Sequence, residues 1–148
     1  MVPGIIALGV IAILFFIFSK RLPSDAALVR EFNRNRPAFV ELNAMLATNS
    51  PADPFRETMS VWSMEHYQKY RTLLRQAHVI QVLRDGSEVR FQVAGPSLKG
   101  KGRRIAVTWT EAEADSTVLS LDDFRKMPGQ PDHAYRPLGN GWFLWIAN

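Results

Sequence analysis

HVIQVLRDGSEVRFQVAG, residues 78–95, decides how this chain folds. Apolar side chains recur there at every second position: Val79 and Val82 or Leu83 before Asp85-Gly86, then Val89, Phe91 and Val93 after it. Such alternation marks strands with one buried face. Asp-Gly between two of these runs is a hairpin signal, because a tight turn needs residues that tolerate positive φ. Immediately upstream the period is different. In MEHYQKYRTLLRQAH, residues 64–78, Tyr67, Tyr70, Leu73 and Leu74 share one side at three- and four-residue spacing, while Lys69, Arg71 and Arg75 share the other. Ser63 stands where an N-cap belongs, and Glu65 lies in the first turn. The chain therefore changes from helix to sheet near residue 79.

Reading outward from that junction extends both halves. Downstream, Ile105, Val107 and Trp109 mark a third strand. AYRPL and GWFLWIAN flank Gly139-Asn140-Gly141 as a second hairpin, its last strand crowded with aromatic residues. EAEADST is an acidic loop, Val118–Leu121 a short apolar stretch, and MPGQPDH another loop. Upstream, SPADPFRETMSVWS, with its two prolines, reads as a loop. Before it, Leu28 and Phe32 fall on one face, and Phe39, Leu42, Met45 and Leu46 continue as an apolar stripe. Ser24 or Asp25 caps the start of this region. Asn35 offers a second cap just before Pro37, so it reads as two helices, or as one helix kinked at Pro37. The expectation is an α+β domain: helices packed on one face of an antiparallel sheet of about four to five strands. It comprises residues 20–148, with a helical part at 24–78 and a sheet part at 79–148.

Residues 1–19 stand apart. MVPGIIALGVIAILFFIFS carries no charged side chain, and Lys20 and Arg21 follow at once. Eighteen or so apolar residues suffice to span a bilayer as a helix. Nothing basic precedes the run except the amino terminus, and no small-x-small cleavage site closes it, as a removed signal peptide would require. It has no polar face to suit a core helix. A retained single-span anchor at 1–19 is the expectation, with the bilayer as its partner. Lys20, Arg21, Arg30, Arg34 and Arg36 all lie on the C-terminal side, and this count favours a cytoplasmic domain.

The chemistry is mostly negative. The chain has no cysteine, which excludes disulfides, thiolate zinc sites and cysteine nucleophiles. His66, His78 and His133 are not spaced for metal, and no HExxH occurs. Glu111, Glu113, Asp115, Asp122 and Asp123 lack the EF-hand pattern. GxSxG and the SxxK set are missing. No metal or other cofactor is expected. The net charge of +4 is uneven: residues 69–104 hold nine Lys/Arg, and residues 111–132 hold six Asp/Glu. SLKGKGRR, with Lys99, Lys101, Arg103 and Arg104, is a candidate anion contact, although it lacks the P-loop pattern. Without interleaved aromatics, nucleic acid is not the expected partner. Trp142, Phe143 and Trp145 form a candidate contact patch. In an alternating strand Trp142 and Leu144 share one face, and Phe143 and Trp145 the other.

Phe32, Arg36, Phe39, Leu42, Met45 and Leu46, then Tyr70, Arg71, Leu73 and Leu74, then Tyr135, Arg136, Pro137, Leu138, Gly139, Gly141, Trp142 and Leu144 form a series across residues 30–147. That series resembles a group of small bacterial envelope proteins of uncharacterised function, many with a lipoprotein signal or a single anchor helix. This chain departs from the lipoprotein members in having no cysteine to acylate. The resemblance implies an inner-membrane protein with its soluble domain on the periplasmic side, against the charge count. It brings no catalytic residues. The expected function is a membrane-tethered, non-catalytic binding module that engages a protein partner, as an immunity or inhibitor protein or an accessory subunit does. The alternatives are an envelope enzyme acting on lipid or cell wall, drawing on His66, His133 and the acidic residues at 111–123, or an electrostatic binder of anionic lipid or nucleic acid.

Overall fold

The computed structural model describes residues 22–48, 62–96, 102–129 and 131–147. In chain order these form α1 (Asp25–Thr48), α2 (Met64–Gln76), β1 (Gln81–Asp85), β2 (Glu88–Ala94), β3 (Arg104–Trp109), α3 (Leu121–Phe124), β4 (His133–Gly139) and β5 (Trp142–Ala147). The expected α+β class is observed. The five strands make one antiparallel sheet in the order β1-β2-β3-β5-β4. Among the described residues no helix is long and apolar enough to cross a membrane. The expected anchor at 1–19 lies outside the described residues.

α1 is one continuous helix with Pro37 inside it, so Asn35 is not a second cap. Proline in a helix interior removes a hydrogen bond and costs about 3 kcal/mol. The stripe outweighs that cost: Leu28, Phe32, Phe39, Leu42, Met45 and Leu46 are all buried, each gaining about 1.5–3 kcal/mol. Asn35 falls within the same stripe and is buried too; its Nδ2 donates to Glu31 Oε1 one turn earlier, at 2.7 Å. Ser24 Oγ accepts from Ala27 N–H at 3.4 Å, as an N-cap does. α2 is capped as expected by Ser63, whose Oγ accepts from His66 N–H at 3.2 Å. It ends in a Schellman motif: Val79 N–H donates to Leu74 O, and His78 N–H to Arg75 O.

The turns follow from their residues. Asp85 pairs with Glu88, so the first hairpin loop is Gly86-Ser87, one residue beyond Asp85-Gly86. Positive φ occurs there at Gly86 alone, as in a type II′ turn. The second loop is Asn140-Gly141, both at positive φ, as type I′ requires.

Helices and sheet share one core. Phe32, Phe39, Phe91 and Trp142 interlock at its centre, with ring centroids 5.7–6.2 Å apart. Val82, Val89, Ile105, Val107, Leu144 and Ile146 fill the rest of the helix-facing side of the sheet. A buried polar clamp ties the start of α1 to the far end of the chain. The Asp25 carboxylate pairs with Arg136 of β4 and accepts from Leu121 N–H at 3.3 Å. The Asp25 N–H donates to Asp122 Oδ2 at 3.0 Å, and the Arg125 guanidinium donates twice to the Pro23 carbonyl at 3.1 Å. Beyond β3, Ser116–Val118 pairs along the outer edge of β4 through Val118 N–H to Tyr135 O and Tyr135 N–H to Ser116 O. That pairing covers part of an otherwise open strand edge.

Candidate functional site

Strand alternation sends every second residue to the side of the sheet away from the helices. Register then aligns those residues in rows. Leu83, Arg90, Thr108, Phe143 and Pro137 form one row across all five strands, and Gln81, Gln92, Ala106, Trp145 and Tyr135 form the next. The central strand β3 contributes only small side chains, Ala106 and Thr108, while its neighbours contribute large ones. Arg90 leans across that shallow trough, its guanidinium carbon 4.7 Å from the centre of the Trp145 ring. Tyr135 and Phe143 meet edge to face at 5.9 Å.

A charged network holds this arrangement. Arg90 donates to both Glu88 oxygens at 2.7 and 2.9 Å, and the Tyr135 hydroxyl donates to the same carboxylate at 3.2 Å. Burial followed by the nearby Glu88 charge pushes the Tyr135 hydroxyl pKa up, although Arg90 acts the other way. Burial disfavours the Arg90 charge, but Glu88 and Tyr135 outweigh it and hold the guanidinium above its ordinary value. Beneath the network Gln92, Thr108 and Trp145 are buried. Among the described residues Gln92 Oε1, Thr108 Oγ1 and Trp145 Nε1 have no hydrogen-bond partner, and neither does Arg104 Nε further along the same face.

Of the expected contact patch, Phe143 and Trp145 lie on this face. Trp142 faces the helices and sits in the aromatic core. Of the expected anion contacts, Lys99 and Lys101 lie outside the described residues. Arg103 is half-buried and donates to the Arg125 carbonyl at 3.3 Å. The histidines do not converge. His66 packs edge-on against Trp62 at 5.1 Å, with its Nε2 buried and unpartnered; His133 lies against Tyr135 at 5.6 Å. Glu111, Glu113 and Asp115 are exposed, and Asp122 is taken up by the clamp with Arg125. Among the described residues no group of three or more His, Cys, Asp or Glu is placed to hold a metal ion.

Arg90, Glu88 and Tyr135 were not anticipated as site residues. Their signal was present: the alternation that buries Val89 and Phe91 puts Glu88 and Arg90 on the face of Phe143 and Trp145. A second feature had no such signal. On the helix side, α1, the end of α2 and the sheet enclose a cleft of about 400 Å³ lined by Leu28, Phe32, Val93 and Val107, with Glu31, Arg34 and His78 at its rim. Comparison with protein-family models, with curated proteins and with solved structures gives no match.

Proposed function

We propose that the chain is a membrane-tethered, non-catalytic binding module of the bacterial envelope that engages a protein partner through the outer face of its sheet. Its tether is residues 1–19, in the inner membrane, and its folded part is periplasmic. It belongs by this reading with the small envelope proteins it resembles, acting as an immunity or inhibitor protein or as an accessory subunit. One observation carries the reading. The outer face gathers Arg90, Tyr135, Phe143 and Trp145 in two adjoining rows, with the Arg90 guanidinium over the Trp145 ring. Tyr, Trp and Arg dominate the energetics of protein interfaces, and Arg90 and Phe143 of these rows remain partly exposed for a partner to cover.

A photoreactive benzoyl-phenylalanine in place of Phe143 tests this in living cells. The expected result is a discrete light-dependent adduct with one protein. The same probe in place of Val40, exposed on the helix side, yields none. No adduct from position 143, or an equal adduct from position 40, refutes the assignment of the face.

A further inference from the structure

We propose that the cleft between α1, the C-terminal end of α2 and the sheet holds one acyl chain of a membrane phospholipid, with the lipid phosphate bound by Arg34 and His78. The inference rests on the membrane tether proposed above, but concerns the opposite side of the sheet from the partner face. At about 400 Å³ the cleft falls within the range of small-ligand pockets, roughly 300–1,000 Å³. A helix about 10–12 Å across is too bulky for it. Half-buried Val93 opens onto it, and the core residues Leu28, Phe32 and Val107 back it with little exposed surface of their own, so its floor is apolar, which suits a hydrocarbon chain.

The rim suits an anion. Glu31 is committed within the protein: Oε1 accepts from Asn35 Nδ2 at 2.7 Å and lies 3.7 Å from His78 Nε2, and Oε2 accepts from Arg34 Nη1 at 3.4 Å. The carboxylate thus positions two basic side chains that are themselves 77% (Arg34) and 74% (His78) exposed. A guanidinium carries five N–H donors, so Arg34 keeps most of them for a phosphate.

The backbone at the rim points the same way. His78 occupies the left-handed position of the Schellman motif, at φ +53°. Glycine sits there without strain, whereas histidine must be held there by its surroundings. Strained positions of this kind concentrate at functional sites.

Location supplies the lipid. Pro23 lines the cleft, and the uncharged run ends at Ser19. Four residues of chain reach at most about 14 Å. The mouth therefore lies within reach of the headgroup layer, which is about 5–8 Å deep on each side of the hydrocarbon.

The test uses the full chain in phosphatidylethanolamine–phosphatidylglycerol vesicles doped with a phosphatidylethanolamine carrying a diazirine in one acyl chain, with adducts mapped by mass spectrometry after illumination. Expected are adducts at Leu28, Phe32, Val93 or Val107 as well as within residues 1–19. Ala27→Trp, which fills the mouth, lowers the cleft adducts about tenfold. His78→Gly lowers them while raising Tm, an opposition that a purely structural role does not produce. Adducts confined to residues 1–19 overturn the cleft assignment and leave the tether intact. Adducts in neither place overturn both. Cleft adducts that persist in Ala27→Trp and His78→Gly, or that arise only with a diazirine fatty acid, overturn the phospholipid assignment.

Discussion

Removing Arg136 should destabilise the fold more than its half-buried position on a strand suggests. Its partner Asp25 is buried, and both of that carboxylate's contacts, from the Arg136 guanidinium and from Leu121 N–H, fall on Oδ2. Oδ1 is buried with no partner. Arg136→Met keeps most of the aliphatic packing and strands the carboxylate, and breaking a buried pair in this way costs about 3–5 kcal/mol. That is a large part of a stability of about 5–15 kcal/mol. Asp25→Asn removes the other charge but leaves Arg136, whose side chain is 28% exposed and can recover water, so its cost is about 1–2 kcal/mol. With both changes no charge is stranded, and the double variant loses about 2 kcal/mol less than the sum of the two. Urea unfolding of the full chain in mild detergent, followed by the combined fluorescence of its four tryptophans, reads all four corners of the cycle. A loss below about 1 kcal/mol for Arg136→Met, or single effects that add within about 0.5 kcal/mol, refutes the view that this pair fixes the start of α1.

Gly95→Ala should be costly for a different reason. Gly95 sits at φ +96°, and a Cβ there would lie 2.3 Å from the Arg103 carbonyl oxygen and 2.9 Å from Arg104 Cα, so the approach of β2 to β3 must give way. A loss of about 2–4 kcal/mol is expected by thermal unfolding, combining strain with overpacking. Alkaline stability should fall between pH 10 and pH 12. Burial, with Tyr67 nearby, pushes the Tyr70 hydroxyl from 10.0 up to about 12, so the unfolded chain ionises first and stability drops as pH rises through that window. Its share is about 2–3 kcal/mol. Tyr70→Phe should remove that share at no cost near neutral pH, because the hydroxyl has no hydrogen-bond partner among the described residues. A Tyr70→Phe chain that loses stability at neutral pH, or that shows the same alkaline slope, contradicts this account.

The parts of the fold legible in the sequence were those written in local periodicity. The switch at residue 79, the Ser63 cap, the two hairpins and the core-facing side of β3 all follow from spacing over a few residues. Pro37 left one helix or two open because its penalty is local, whereas the burial that decides for one helix depends on Phe91 and Trp142, far along the chain. The outer face was half legible. Alternation separated Phe143 and Trp145 from Trp142, but only register brings Arg90 of β2 over Trp145 of β5, two strands away. The cleft left no mark at all. Glu31 and Arg34 stand more than forty positions from His78, and their meeting depends on how α1 and α2 lie on the sheet.

Pro23 and Asp25 give the chain entering at residue 22 little freedom relative to the sheet. Arg125 holds the Pro23 carbonyl through two bonds, Asp122 holds the Asp25 N–H, and Arg136 of β4 holds the Asp25 carboxylate. Each contact joins residues about a hundred positions apart, two from the turn of α3 and one from β4. β4 in turn carries Tyr135 and Pro137 of the outer face, one residue on either side of Arg136. β4 thus joins the start of α1, through Arg136, to the row that holds Tyr135. The clamp has a buried charge at its centre where an apolar contact would be easier to accommodate. What the charge adds is direction: a carboxylate with one guanidinium and one backbone N–H on a single oxygen fixes the orientation of α1 on the sheet.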